Sequence, residues 1–548
     1  MKSIFSLLLF ATGALCFAMF LQRCGRNPPD APHASPVLSR EFSSQSKPTM
    51  HKERAMTTST TDEIIDLRRR RILSTAAMGV AAFGAATVLP PGIRTAAAGE
   101  AVRPFRIDVP EELLIDLRRR VAATRWPDKE TVADPSQGVQ LKTVQQLAQY
   151  WQNGYSWRNV EARLNGLPQF ITEIDGLDVH FIHVRSRHPN ALPMIVTHGW
   201  PGSIIEQIKI IDPLTNPTAH GGSAADAFDL VIPSLPGHGF SGKPTAPGWT
   251  PVRIARAWTT LMRRLGYKQF VAQGGDWGNA VSETLALQEP VELLGIHTNM
   301  PATVPADVSR ALAFNSAPPA TLTTDERRAW DQLRLFYDKG LGYAIEMANR
   351  PQTLYGLVDS PVGLAAWMLD HDARSQEMIA RVFDGETEGL SRDDVLDNAT
   401  LYWLTNTAIS SARLYWDTHQ VSTGGFFDVR GVKIPVAVSA FPDEIYTAPR
   451  SWAEQAYPKL IHYNKLDKAG TSRRGSSPSC LSPKCAPPSA RCATPSHATG
   501  GARECAHRHS CRTYDGPVAF ISVAAFRFRL RGADVCRGHG GALDCAAA

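Results

Sequence analysis

The residues Gln273-Gly274-Gly275-Asp276-Trp277-Gly278 lie between an apolar run, Phe270–Gln273, and a helical pattern, Asn279–Leu287. A carboxylate on a strand-to-helix bend is suited to attack an electrophile. The tight turn thrusts one side chain out, and the flanking positions must be small to avoid clashes. The helix N-terminus behind the bend favours the anionic form. Aspartate is also a common helix cap, so capping competes with the nucleophilic role. Strand, bend and helix together favour Asp276 as the nucleophile.

Upstream, Thr197-His198-Gly199-Trp200-Pro201-Gly202-Ser203 closes the apolar run Leu192–Thr197. A loop in that place can aim backbone N–H groups at a developing oxyanion, and the amides of Trp200 and Trp277 are the expected donors. Ser203 and Glu206 have capping-box spacing before an apolar helix, which makes Ser203 structural. His198 is expected to anchor the loop. Gly237-His238-Gly239-Phe240-Ser241-Gly242 has dinucleotide-loop spacing, but Lys243-Pro244 and a proline-rich loop follow where a helix must open. No cofactor is therefore expected.

The elements that must carry these residues alternate. Phe170–Ile174 and Leu177–Val184 flank Asp175-Gly176, a hairpin signal. Pro110–Ala123 and Tyr150–Leu164 read as helices, as does Arg253–Leu265. Leu192–Thr197, Phe228–Pro233, Phe270–Gln273 and Leu293–Asn299 read as buried strands, which implies a mostly parallel α/β sheet. From Pro301 to about Gly425 the pattern is helical, with Thr324–Met347, Val362–Asp370 and Arg392–Trp416. Strands return at Lys433–Ala440 and Leu460–Asn464, so the helical block is an inserted cap.

The segments HGWPGS, PSLPGHGFSG, QGGDWG, SPVGLAAW, LYW and SAFPDE together resemble the microsomal-type epoxide hydrolases, over roughly residues 102–470. The resemblance implies an α/β-hydrolase fold: a mostly parallel sheet, an inserted helical cap and an N-terminal meander from about Val102 to Leu167. It implies that Asp276 attacks an epoxide carbon and forms a covalent ester, with water as the second substrate. Tyr402 matches the family's cap tyrosine that donates a proton to the opening oxygen, and Tyr343 is its expected partner. Glu444 matches the acid that orients the catalytic histidine, with Asp443 beside it as an alternative. A small apolar epoxide is the implied substrate.

The histidine itself is missing. The family places it just past the last strand, in a run like Gly-Gly-His-Phe; here Ala469-Gly470 is followed by Thr471-Ser472. The codons of residues 469–477, shifted by one base, can be read as Gly-His-Phe-Ala-Ala-Trp-Glu-Gln. A frameshift near codon 469 is the expected origin. Composition changes at the same point. Residues 471–548 hold eleven Lys and Arg against four acids and seven of the nine cysteines, while residues 1–470 carry a net charge of −1. A neutral body argues against nucleic acid as a partner. Cys480 and Cys485, like Cys505 and Cys511, lack zinc spacing, so no metal is expected.

Two segments at the N-terminus look like addresses. Residues 4–21 form an apolar run of nearly membrane-spanning length, which could also make transient membrane contact. Arg68–Arg71, the Ala/Gly-rich run that follows and Ala96-Ala97-Ala98 resemble a twin-arginine export signal over residues 56–98. Export with cleavage after Ala98 is expected, with anchoring by residues 4–21 as the alternative and Met50 or Met56 as alternative starts. The expected partition is 1–98 targeting region, 99–170 N-terminal segment, 171–301 and 426–470 hydrolase core, 302–425 cap, and 471–548 a disordered, frameshift-like tail. A haloalkane dehalogenase-like hydrolase also uses an Asp-Trp bend; a catalytically dead binding protein or pseudogene product is the alternative outside enzymes.

Overall fold

The computed structural model describes residues 101–370, 373–386, 390–421, 427, 431–442 and 444–466. The targeting segments expected within residues 1–98, the Thr471-Ser472 break, the tail and Asp443 lie outside the described residues.

Among the described residues the strands are β1 Arg103–Pro104, β2 Gln169–Ile174, β3 Leu177–Val184, β4 Leu192–Thr197, β5 Phe228–Pro233, β6 Phe270–Gly274, β7 Leu293–Thr298, β8 Val436–Ala440 and β9 Leu460–Lys465. They form one sheet in the order β1-β2-β3-β5-β4-β6-β7-β8-β9. The β2–β3 turn is Asp175-Gly176, with φ of 54° and 77°. Both central residues are left-handed, as a two-residue hairpin turn requires. The strands from β5 through β9 pair in parallel. Every residue of β6 and β8 is buried, because helices cover both faces of a parallel sheet and select continuous apolar runs.

Register brings the site together. Thr197 pairs with Gly274, Gly274 with Thr298, and Thr298 with Val438. The loops leaving β4, β6, β7 and β8 therefore start side by side at the carboxyl edge of the sheet, where open α/β sheets hold their ligands.

The helices are α1 Glu111–Ala122, α2 Leu141–Asn153, α3 Trp157–Asn165, α4 Ile208–Thr215, α5 Pro251–Arg264 and α6 Trp277–Gln288, then α7 Ala306–Ala313, α8 Thr324–Leu335, α9 Gly342–Asn349, α10 Gly356–Asp359, α11 Pro361–Leu369, α12 Ala373–Phe383, α13 Arg392–Thr405, α14 Ala408–Val421 and α15 Arg450–Ala456. Helices α7 to α14 lie between the adjacent strands β7 and β8, so they are an insertion into the sheet's connectivity. Three helices are shorter than their sequence patterns. Tyr150–Leu164 breaks after Asn153 at Gly154, where an added Cβ would come within 2.5 Å of the Tyr150 ring. Thr324–Met347 is interrupted by a π-turn at Phe336–Gly340. Arg392–Trp416 is two helices, because Asn406 ends α13 in the left-handed conformation, φ 54°, which asparagine tolerates better than most residues.

The N-terminal helices hold the cap through α13. Asp393 accepts from the Tyr150 hydroxyl (2.7 Å), and Asp397 from Tyr155 (2.9 Å) and Arg163 (2.6 Å). Thr400 accepts from the Trp151 indole N–H at 2.9 Å. Residues 393, 397 and 400 follow helical spacing and form one face. Burial pushes the Asp397 carboxyl up to about 6, with Tyr155 and Arg163 pulling the other way.

Candidate active site

Asp276 stands at the start of α6 with φ 52° and ψ −130°. A non-glycine residue in this region is strained, and such strain persists only where surrounding structure enforces it. Its backbone carbonyl accepts from the N–H groups of Asn279 and Ala280 at 2.9 and 3.2 Å, while its side chain makes no cap bond. The side chain's Oδ1 accepts instead from the Trp200 backbone N–H at 2.7 Å. The capping alternative is thereby excluded. Two glycines permit this approach. A Cβ on Gly278 would lie 2.0 Å from the Thr197 carbonyl oxygen, and one on Gly199 would lie 2.2 Å from Asp276 Oδ1.

Two neighbours stiffen the loop after β4. The Leu235 N–H donates to His198 Nε2 at 3.1 Å, which leaves Nδ1 to donate to the Gly199 carbonyl at 2.9 Å. His198 is thus a neutral anchor. Ser203 Oγ accepts from the Ile205 N–H at 3.2 Å and donates to Asn398 Oδ1 at 2.7 Å. Its hydroxyl is engaged in structure.

A cavity of about 160 Å³ opens in front of Asp276. Its walls include the apolar cap side chains Met368, Leu369, Met378, Ile379 and Leu390, with Leu147 from α2, and the polar Glu206, Lys209, Asp394 and Asn398.

Two tyrosines of the cap pack on the bend and the loop. Tyr343 of α9 stacks on Trp200 with ring centroids 4.9 Å apart and planes 15° from parallel. Tyr415 of α14 meets Trp277 edge-on at 4.7 Å and Tyr343 at 6.0 Å. Burial raises the Tyr415 phenol well above its usual range, reinforced by Tyr343 and the Asp276 charge, so it stays a neutral O–H donor at any working pH.

The expectation for Tyr402 needs correction. Tyr402 is fully buried, and its hydroxyl donates to the Gly202 carbonyl at 2.9 Å. That hydroxyl is committed to the backbone, and the phenol that packs against Tyr343 is Tyr415. Sequence inspection missed it because LYW drew attention to Tyr402 and because one continuous helix was expected. The turn at Asn406 is the signal that separates the two tyrosines.

Glu444 follows β8 and is buried; its Oε1 accepts from Asn299 Nδ2 at 2.9 Å. Asn299 Oδ1 in turn accepts from Gln273 Nε2 at 3.2 Å. This chain of amides links the ends of β6, β7 and β8. His297 shares a 2.8 Å hydrogen bond with Ser439, and His462 lies within β9 opposite Ala437.

Fold and geometry define an α/β-hydrolase with an aspartate on the bend. Residues 102–207 match the family described as epoxide hydrolase N terminus, and residues 193–339 match the alpha/beta hydrolase fold. A Stigmatella aurantiaca protein named by inference as an epoxide hydrolase is 50% identical over 370 residues, covering 67% of this chain and 80% of that protein. Epoxide hydrolase 1 of Sus scrofa is 34% identical over 395 residues, 69% of this chain and 87% of its own length. The crystal structure of juvenile hormone epoxide hydrolase from the silkworm Bombyx mori superimposes with a TM-score of 0.60 at 29% identity, over 68% of this chain and 90% of that one. The Aspergillus niger epoxide hydrolase gives 0.56 at 28%, over 68% and 92%. The chain belongs to the epoxide hydrolase family, and by family it is a hydrolase.

Proposed function

We propose that the chain opens a small apolar epoxide through a covalent ester on Asp276 and stalls at that ester. The observation that carries this is the Trp200 N–H on Asp276 Oδ1, which fixes the carboxylate where it lines the cavity. Asp276 Oδ2 bonds to an epoxide carbon as the carbon–oxygen bond of the ring breaks. The ring oxygen takes a proton from Tyr343 or Tyr415, the two phenols that pack on Trp200 and Trp277. The amides of Trp200 and Trp277 then hold the ester carbonyl and its oxyanion. The apolar cavity walls support an apolar substrate.

Release of the diol needs a base to deprotonate water. Glu444 is the acid that would orient it, but Thr471-Ser472 follow Gly470 where the family has His-Phe. A frameshift near codon 469 accounts for this and for the cysteine- and arginine-rich sequence beyond it. Export through the twin-arginine-like segment, residues 56–98, belongs to the same proposal.

Intact-mass spectrometry with excess styrene oxide tests it. The expected result is one substrate equivalent added and retained, carried by the peptide containing Asp276. No adduct, or rapid steady diol release, would overturn it.

A further inference from the structure

Helix α13 has a second polar face, opposite in use to the one bound by the N-terminal helices. Asp394, Asn398 and Tyr402 recur every fourth residue and so share one stripe. Each reaches the chain between Pro201 and Lys209. Lys209 Nζ donates to Asp394 Oδ2 at 2.8 Å. Asn398 Nδ2 donates to the Pro201 carbonyl at 2.7 Å, and Asn398 Oδ1 accepts from Ser203 Oγ at 2.7 Å. Tyr402 donates to the Gly202 carbonyl at 2.9 Å. Burial first, then the charges of Glu206 and Asp276, push the Tyr402 phenol well above its ordinary range, so this donor keeps its proton.

These partners bear on the reaction. Pro201 and Gly202 directly follow Trp200, whose N–H holds Asp276 Oδ1. Backbone carbonyls in a partly buried loop need donors, and here the cap supplies them. The same helix forms part of the cavity wall through Val395, Asn398 and Ala399.

We infer that Tyr402 and Asn398 are positioning residues that fix the loop carrying Trp200 N–H against the nucleophile, so that the placement of cap helix α13 sets the orientation of the Asp276 carboxylate. The chemical consequence rests on the proposed ester mechanism; the mechanical one does not. If α13 shifts, its three hydrogen bonds to residues 201–203 shift the Trp200 amide with it. The carboxylate then loses its holder, and Tyr402 bears on it from outside the residues that line the cavity.

Two readouts on the full chain decide it, for wild type, Tyr402→Phe and Asn398→Ala. The first is hydrogen exchange followed by mass spectrometry over residues 198–205, compared with strand β5. Tyr402→Phe removes one hydrogen bond to the loop and Asn398→Ala two, so loop exchange should speed up by about fivefold in the first and at least as much in the second while β5 keeps its wild-type rate. The second is the rate of ester formation with styrene oxide as its concentration is varied. The limiting rate should fall about tenfold in both variants, and for Tyr402→Phe, which leaves the cavity lining untouched, the half-saturating concentration should stay within about twofold of wild type. Loop exchange at the wild-type rate in both variants overturns the inference. So does exchange accelerated equally in the loop and β5, which marks general loosening, or an unchanged limiting rate where wild type forms the ester. If wild type forms no ester, the proposed chemistry is wrong, and the exchange arm still decides whether the cap holds the loop.

Discussion

The Trp200 backbone N–H and the Asp276 carboxylate stand 2.7 Å apart, across a contact that only a glycine at 199 allows. The loop from β4 and the bend from β6 thereby form one unit. One carboxylate oxygen is held by an amide before substrate arrives, which fixes the orientation of the whole group. Charge-assisted hydrogen bonds of this kind are short and directional, which suits a group that must keep one orientation through attack and ester formation.

Asp276→Asn follows directly. Asparagine tolerates positive φ as well as aspartate does, so the thermal midpoint should stay within a few degrees of wild type. The amide is a poor nucleophile, and adduct formation with styrene oxide should drop by at least about 10³-fold. A variant that still gains the adduct mass at the wild-type rate would remove Asp276 from the mechanism.

The two close-packed glycines should respond differently to alanine. At Gly278 the added carbon meets the Thr197 backbone carbonyl at 2.0 Å, and neither strand β4 nor helix α6 can retreat. A loss of more than about 3 kcal/mol is expected, seen as a large drop in the urea midpoint. At Gly199 the added carbon meets the Asp276 side chain, which can rotate away. Gly199→Ala should therefore keep most of its stability and lose ester formation. Equal stabilities for the two variants would mean that the contacts at Gly278 are looser than described.

Much of this arrangement was legible in the sequence. The bend at Asp276, the hairpin at Asp175-Gly176 and the buried parallel strands announce themselves because local chemistry dictates them: small residues where side chains clash, left-handed turn residues, apolar runs without alternation. The tyrosines were not separable this way. Tyr402 and Tyr415 both lie in apolar helical patterns, and only the left-handed turn at Asn406 and the packing of α14 against the bend decide which hydroxyl is free of the backbone. The roles of Asn398 and Tyr402 were equally hidden. They depend on which face of α13 meets residues 201–203, and that is settled by long-range packing with the N-terminal helices on the other face.

Tyr343 and Tyr415 give a graded test of proton donation. Tyr415→Phe and Tyr343→Phe should each lower the limiting rate of ester formation by about 10- to 100-fold, because one phenol still stabilises the departing oxygen. The double variant should form almost no ester. The ring contacts with Trp200 and Trp277 survive in phenylalanine, so the circular dichroism spectrum should match wild type. A double variant that reacts as fast as either single one would mean that only one phenol takes part.

Glu283 offers a pH test away from the reacting atoms. It lies on α6, behind the bend, and is buried; it accepts from the Ala302 N–H at 3.1 Å and from the Tyr457 hydroxyl. Burial pushes its carboxyl from the usual 4.5 up to about 7, with Tyr457, Ala302 and Asn279 opposing the shift. The native state therefore keeps a proton that the unfolded chain releases near pH 4.5. Its favourable contribution is complete below that pH and is lost as pH rises through about 7, on the order of 3 kcal/mol in all. Glutamine has no charge to bury, so Glu283→Gln should remove this loss. Urea unfolding of both proteins at pH 5 and pH 8 should show the variant gaining relative to wild type at the higher pH. Parallel pH profiles for the two proteins would mean that Glu283 ionises as readily in the fold as in water.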